Sequence, residues 1–308
     1  MKNKILLTGS SGMVGSNIVE HKYFHNYQIL TPTSSELNLL NYQNVIIYLE
    51  KNKPEMIIHA AGIVGGIEAN IKYPVKFLVN NMQMGLNILM GAKNKKIKKF
   101  INLSSSCMYP KNAKNPLSED FILTGELETT NEAYALAKLA TTKLCEYVSK
   151  EDKAFMYKTV IPCNLYGKYD NFNLNSSHMI AGVIKKIFDA KKNNLTSLDI
   201  WGDGTARREF MYAADFADFI YYAIENFTKM PQNINVGIGT DYSILDYYSK
   251  IAEVIGFKGL FNFDLSKPIG MKQKLVDDKR LKEFGWTYQT SLDEGIKNTY
   301  KFFIDKIN

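Results

Sequence analysis

Cysteine is scarce in this chain. Cys107, Cys145 and Cys163 are the full complement among 308 residues. They are odd in number and lack metal-type spacing, so neither a disulfide framework nor a zinc site is indicated, and a reducing compartment is expected. Long hydrophobic runs are missing too. No apolar stretch approaches the roughly 20 residues that span a bilayer, and the N-terminus enters a strand without the layout of a signal peptide. A cytoplasmic protein with no membrane partner is the expectation. Low-complexity linkers and repeats at solenoid spacing are absent, which argues against repeat architectures. Charge of one sign is only mildly in excess: 38 Lys and Arg stand against 31 Asp and Glu, a net of +7, with a pI near 9.0. That balance suits an anionic small ligand better than nucleic acid. The densest basic run, Lys93 to Lys99, falls where a helix should end, and cations there complement the helix dipole. It reads as a solvated helix end.

What is present is an ordinary globular composition, 45% hydrophobic and 22% charged, with enough chain for one main domain and a smaller one. Lys4-Ile5-Leu6-Leu7-Thr8 is an apolar run that breaks into Gly9-Ser10-Ser11-Gly12-Met13-Val14-Gly15 before a helical pattern resumes at Ser16. Strand, glycine turn and helix in that order fit a dinucleotide site. Gly9 permits the tight turn, Gly12 lets a pyrophosphate approach, and Gly15 lets helix and strand pack closely. Turns and helix caps also use glycine, and it is the strand-to-helix context that favours the nucleotide.

Further strands are expected at Gln28–Leu30, Met56–His59, Phe100–Leu103 and Met156–Ile161, spaced to leave room for crossover helices. The alternation predicts an α/β fold with a doubly wound parallel sheet, Rossmann-like, over residues 1–166. Ala60-Ala61-Gly62, with Gly65 and Gly66, forms a second glycine-rich strand exit beside the expected cofactor. Beyond residue 166 the pattern loosens into Asn-rich turns from Tyr169 to Ser177. A smaller α/β substrate domain is expected over 167–308, with some segments returning to the first.

Ser104-Ser105-Ser106-Cys107 ends the fourth strand, and Tyr134 and Lys138 follow on one face of a predicted helix, Asn131 to Ser149. There the Lys138 ammonium makes ionisation of the Tyr134 phenol less costly, and Ser105 adds a second hydroxyl for the same substrate oxygen. The plain alternative is a core-facing Tyr with a solvated Lys. The glycine turn and the serine-rich strand end favour the catalytic reading. This helix and the one predicted from about Val75 to Gly91 carry apolar or small residues round much of their circumference, among them Met82, Gly85, Leu86, Leu89, Ala137, Ala140 and Leu144. Core packing explains part of this, and burial against a second subunit, as a homodimer, would explain the rest.

Together these segments resemble the extended short-chain dehydrogenase/reductases, a family of nucleotide-sugar enzymes, and within it the GDP-L-fucose synthase branch. The resemblance rests on Gly9 to Ser16, Ser105-Ser106-Cys107-Met108-Tyr109-Pro110, Asn131-Glu132-Ala133-Tyr134, Asn164-Leu165-Tyr166-Gly167 with Asp170-Asn171-Phe172, and Ser177-His178-Met179-Ile180. Trp201-Gly202-Asp203-Gly204-Thr205, Arg208-Glu209-Phe210 and Lys274-Leu275 extend it, so that it covers nearly the whole chain.

The resemblance implies reduction of the C4 ketone of a GDP-4-keto sugar with prior epimerisation at C3 and C5. It makes Ser105, Tyr134 and Lys138 the reductase triad, and Cys107 and His178 the acid/base pair for epimerisation. Taken without it, Cys107 is equally a small buried apolar residue and His178 a loop histidine. By the same resemblance the cofactor contacts Gly9 to Gly15, Asn38, Leu39, Ala60, Ala61, Gly62, Tyr134, Lys138, Pro162, Asn164, Leu165 and His178. The nucleotide sugar contacts Ser106, Cys107, Lys186, Trp201, Arg208 and Lys274. Trp201 stacks on a base or fills a core; the residues leave both open. Some members hold the 2′-phosphate of NADPH with arginines where this chain has Ser11 and Ser34, while Thr31 to Ser35 offers no carboxylate for the 2′-hydroxyl of NADH. Hydroxyls bind phosphate, so NADPH is favoured over NADH. Two alternatives accompany this reading. One is a C4 reductase acting on an already epimerised hexose or a heptose. The other is a non-catalytic dinucleotide-binding protein, for which an aligned Ser, Tyr and Lys would serve no purpose.

Overall fold

Strand and helix alternate as predicted in the computed structural model, which describes residues 3–174, 176–267 and 269–307. Asn175, inside the Asn-rich stretch, lies outside the described residues. The first part runs β1 (Lys4–Thr8), α1 (Met13–Glu20), β2 (Gln28–Leu30), α2 (Tyr42–Asn52), β3 (Met56–His59), α3 (Ile67–Lys72), α4 (Pro74–Asn94), β4 (Lys99–Leu103), α5 (Glu132–Glu151) and β5 (Met156–Pro162). The second part holds β6 (Asn164–Tyr166), α6 (Met179–Lys192), β7 (Ser197–Trp201), β8 (Arg207–Arg208), β9 (Phe210–Tyr212), α7 (Ala213–Glu225) and β10 (Asn233–Val236). It ends with β11 (Tyr242–Ser243), α8 (Ile244–Ile255), β12 (Leu260–Asp264), β13 (Gln273–Lys274), α9 (Lys279–Phe284) and α10 (Leu292–Ile307).

Six parallel strands form the main sheet in the order β10-β5-β4-β3-β1-β2. Its strands are buried on both faces, as near-continuous apolar runs require. Ile5 and Leu7 point into a core shared with Phe216, Phe219 and Ile220 of α7. Leu6, between them, points the other way into a core shared with Val45 of α2, Ile88 of α4 and Cys145 of α5. The chain leaves β1 outward to β2 and then crosses back to β3. Winding therefore reverses between β1 and β3, the switch point where such sheets bind ligands beyond their carboxyl ends.

The second part has its own core, in which Ile184, Ile187, Ile251 and Phe303 bring α6, α8 and α10 together. Its sheets are small: β7 with β12, β6 with β9, and the three-stranded β11-β8-β13. β10 is the exception, because it leaves this part and completes the main sheet beside β5.

Two sequence expectations change in detail. The basic run does lie at the end of α4, but it is paired rather than simply solvated: Lys93 meets Glu151, Lys95 meets Glu50 at 2.9 Å, and Lys98 sits 3.8 Å above the Phe155 ring. The apolar residues of α4 and α5 divide. Gly85 lies where a Cβ would come 2.1 Å from Thr141, so it lets the two helices touch, and Leu89 and Ala137 are buried. Leu86, Met90, Leu136 and Tyr147 stay exposed.

Candidate active site

The glycine turn is built from backbone. Gly9 has φ +73, and a Cβ there would lie 2.6 Å from the Ala61 nitrogen. A Cβ on Gly15 would lie 2.1 Å from the Gly9 oxygen. Gly12 differs, since a Cβ would meet only the Gly9 oxygen, at an ordinary 3.5 Å. The fold itself therefore needs glycine at positions 9 and 15, while at position 12 the protein leaves room for something else. Gly12 caps α1 without a side-chain hydrogen bond, and no acidic residue occupies the first turn, so the first amides of α1 are open to an anion. Ser11 and Gly12 are exposed, Met13 and Val14 half-buried, and the Ser10 oxygen accepts from the Ser16 hydroxyl.

The second exit is tied to the first. Ala60 N–H donates to the Thr8 oxygen, and Ala61 N–H donates to the Thr8 hydroxyl, which pairs at 2.9 Å with His59 Nδ1. Asn81 accepts from Ile63 N–H and donates to the Ile63 oxygen, fixing the loop after Gly62. Leu39 is buried, its oxygen accepting from Asn87, and Asn38 N–H donates to Asn44. The turn after β2 contains a carboxylate that the sequence reading passed over: Glu36 accepts from both the N–H and the hydroxyl of Thr33. It is engaged within the turn.

Beyond β4 the chain turns into a short 3-10 helix, Ser106–Met108, capped by Ser105, whose hydroxyl accepts from Cys107 N–H at 3.3 Å. Cys107 and Ser106 are buried, and Tyr134 packs against the small cluster of Cys107, Leu127 and Ala135. Four residues along α5, Lys138 donates to the Leu103 oxygen at 2.8 Å, and its ammonium lies 5.8 Å from the centre of the Tyr134 ring. A Cβ on Gly62 would stand 3.7 Å from that ammonium, so the second glycine exit borders α5. Burial lowers Lys138 to about 8, with the Cys107 charge opposing. Burial pushes the Tyr134 phenol well up, and the Cys107 charge adds to this. The direction differs from the sequence expectation: desolvation outweighs the ammonium, and the phenol rests protonated.

Cys107 is also raised by burial, offset by Lys274, Ser105 and Lys138 in that order. His178 caps α6, and its imidazole is lowered by burial and then by Lys274. Lys274 is thus the electrostatic neighbour of both groups. It stands on β13 in register with Arg208 on β8. The Arg208 guanidinium donates to the Arg207 and Ile269 oxygens, both at 2.8 Å, and Glu128 is its nearest opposing charge. Lys186 and Trp201 form a separate group, with the ammonium 5.6 Å from the indole ring centre. Lys267, which sequence reasoning missed, lies 5.4 Å from the same indole. Glu128 and Lys267 sit in loops without a motif, so nothing in the local pattern marks them. At the end of β5, Pro162 pairs with Val236, Leu165 joins the main core, and the Asn164 side chain donates to the Glu209 oxygen at 2.8 Å.

The family model for the NAD dependent epimerase/dehydratase family matches residues 5–239. A GDP-L-colitose synthase from Yersinia pseudotuberculosis is 59% identical over 99% of both chains. A GDP-L-fucose synthase from Azorhizobium caulinodans is 47% identical over 98% of this chain and 96% of its own. Among solved structures, a GDP-mannoheptose C4 reductase from Campylobacter jejuni with NADP bound superposes with a TM-score of 0.88 at 29% identity, covering 98% of each chain. Among the described residues, no helix is long and apolar enough to cross a membrane.

Proposed function

Because the chain belongs to the NAD dependent epimerase/dehydratase family, we propose that it is an NADPH-dependent oxidoreductase that reduces the C4 ketone of a GDP-4-keto sugar after inverting the carbons beside it. The observation that carries this reading is the gathering of Ser105, Tyr134, Lys138 and Lys274 round one buried thiol, Cys107. Full-length relatives named as GDP-sugar synthases supply the nucleotide.

The cofactor fits the residues present. Gly12 is the one turn glycine with room on its open side, and the amides at the start of α1 face the place a pyrophosphate would take. When bound, the nicotinamide supplies hydride to C4. Tyr134, held protonated by burial, donates the proton that the C4 oxygen needs, and Ser105 holds the same oxygen. The Lys138 ammonium stabilises the phenolate left behind. Inversion at C3 or C5 needs one group to take a proton and another to return one to the opposite face. A protonated thiol at Cys107 and a neutral imidazole at His178 provide one donor and one acceptor round the Lys274 ammonium. Arg208 and Lys274 are placed for the diphosphate, and Trp201 with Lys186 for the base.

NADPH over NADH is supported by a solved relative with NADP bound and by the exposed hydroxyls of Ser11, Ser34 and Ser35 near the β2 exit. The exposed apolar residues of α4 and α5 support a homodimer closed through these helices. Residues 1–166 with β10 form the dinucleotide-binding part in this reading, and most of 167–308 the sugar-binding part. A cytoplasmic role in making sugars for surface polysaccharide follows from the substrate class.

The test is a panel of GDP-4-keto-6-deoxymannose, its 3-deoxy counterpart and GDP-4-keto-heptoses, run in D2O with either nicotinamide and read by NMR. NADPH oxidation with deuterium uptake above a no-enzyme control, suppressed in Cys107→Ser, is the expected result. Oxidation of NADPH without uptake would replace this reading by a C4 reductase alone, and a clear NADH preference would overturn the cofactor.

A further inference from the structure

Glu209 is a carboxylate with no solvent exposure. Among the described residues, no cation is paired with it. Burying a carboxylate without a cation is costly unless hydrogen bonds replace water. Three backbone amides do so here. One carboxylate oxygen accepts from Ile238 N–H at 2.6 Å and Gly239 N–H at 2.8 Å, and the other accepts from Val276 N–H at 3.0 Å. Even Gly237 is closed off, since a Cβ there would lie 2.4 Å from the carboxylate. An apolar side chain there would leave three N–H groups without an acceptor, so holding these amides in place is what the carboxyl group secures.

The amides belong to two different assemblies. Ile238 and Gly239 follow β10, which is rooted in the main sheet by pairing with β5. Val276 lies two residues beyond Lys274, whose strand β13 meets β8 over a ladder of only two pairs, Gln273 with Arg207 and Lys274 with Arg208. So short a ladder holds its register weakly, and Glu209, directly after Arg208, adds the next anchoring bond. Its main-chain oxygen completes the joint by accepting from the Asn164 side chain at the β5 exit.

We propose that Glu209 is a positioning residue, whose carboxylate locks the Arg208–Lys274 cation pair to the β10 end of the main sheet and so sets where the nucleotide-sugar diphosphate is held relative to Cys107. This rests on the functional reading above, in which that pair binds the diphosphate. In Glu209→Gln the side-chain amide must turn its NH2 toward at least one backbone N–H, donor against donor. Glu209→Asp keeps the carboxyl group as acceptor, but one methylene less cannot reach both β10 and β13.

The experiment is calorimetric titration of wild type, Glu209→Gln and Glu209→Asp with GDP and, separately, with NADPH. GDP should bind about tenfold more weakly to Glu209→Gln, the factor carried by one lost charge-assisted hydrogen bond, with Glu209→Asp in between. NADPH should bind all three alike. Equal loss for both ligands, or none for GDP, overturns the proposal. Should the variants not fold, hydrogen exchange of wild type decides: coupling is reciprocal, so GDP must slow exchange at Ile238, Gly239 and Val276, and unchanged rates there overturn it. Wild type that oxidises NADPH on a GDP-4-keto sugar while Glu209→Gln keeps its GDP affinity sinks this inference alone. Wild type that fails to bind GDP sinks both.

Discussion

The two sides of the proposed active site are made of different material. On the side proposed for the cofactor the groups are backbone: glycines 9, 12 and 15, the open amides of α1 and the exit at Ala60 to Gly62, all set by strands of one sheet. On the side proposed for the sugar they are side chains, Lys186, Trp201, Arg208 and Lys274, carried on α6 and on strands of the small sheets. Tyr134 and Lys138 stand on α5, the helix that borders both. Backbone geometry tolerates few residue types and side-chain charge tolerates several positions, so the two sides should respond differently to substitution.

The largest effect belongs to the border. Tyr134→Phe keeps the ring and removes the proton donor, so the rate of reduction should fall about 100-fold or more. Affinities for NADPH and GDP should both survive. Turnover near that of wild type would take Tyr134 out of the chemistry.

A paired substitution sharpens the claim about backbone. Gly15→Ala places a methyl 2.1 Å from the Gly9 oxygen, which should lower thermal stability and weaken NADPH by overpacking worth about 1–3 kcal/mol. Gly12→Ala meets protein only at 3.5 Å, so it should melt within about 0.5 kcal/mol of wild type and still lose NADPH affinity. If Gly12→Ala binds NADPH normally, the open side of that turn is not where the pyrophosphate lies.

The smallest expected effect is graded with pH. Burial lowers Lys138 from 10.5 to about 8. Its ammonium is present below that value and lost above it, so kcat/KM for reduction should decline as pH rises through about 8. A profile flat to pH 9.5 would separate Lys138 from the rate.

The same division explains what was legible in the sequence. All strands of the main sheet but β10 were readable, those after β1 to within a residue of Gln28–Leu30, Met56–His59, Lys99–Leu103 and Met156–Pro162, because apolar runs between breakers report a doubly buried strand directly. The glycine turn was readable because one backbone shape admits few residues. The two-residue strands carrying Arg208 and Lys274 have no period to detect, and those residues were picked out by family resemblance. Glu128 and Lys267 were not picked out at all, and Glu209 was named only within a motif, since their contacts involve residues such as Val276 that lie far along the chain. Tyr134 was singled out from its spacing, while the direction of its shift was not anticipated. Spacing on a helix reveals a neighbouring ammonium, but it does not weigh that neighbour against desolvation.

The late return of the chain to the main sheet also shapes its birth on the ribosome. Until Asn233–Val236 has emerged, β5 has no partner on the side away from β4. An unfinished parallel edge, buried in the finished fold from Tyr157 to Ile161, is a template for pairing with other nascent chains. A fragment cut at residue 166 would keep that edge open permanently, and should be recovered from expression mainly in the insoluble fraction. Synthesis must run about 70 residues past β5, through α6 and α7, before β10 can close the main sheet, so the first part of the molecule waits on the second to become a finished fold.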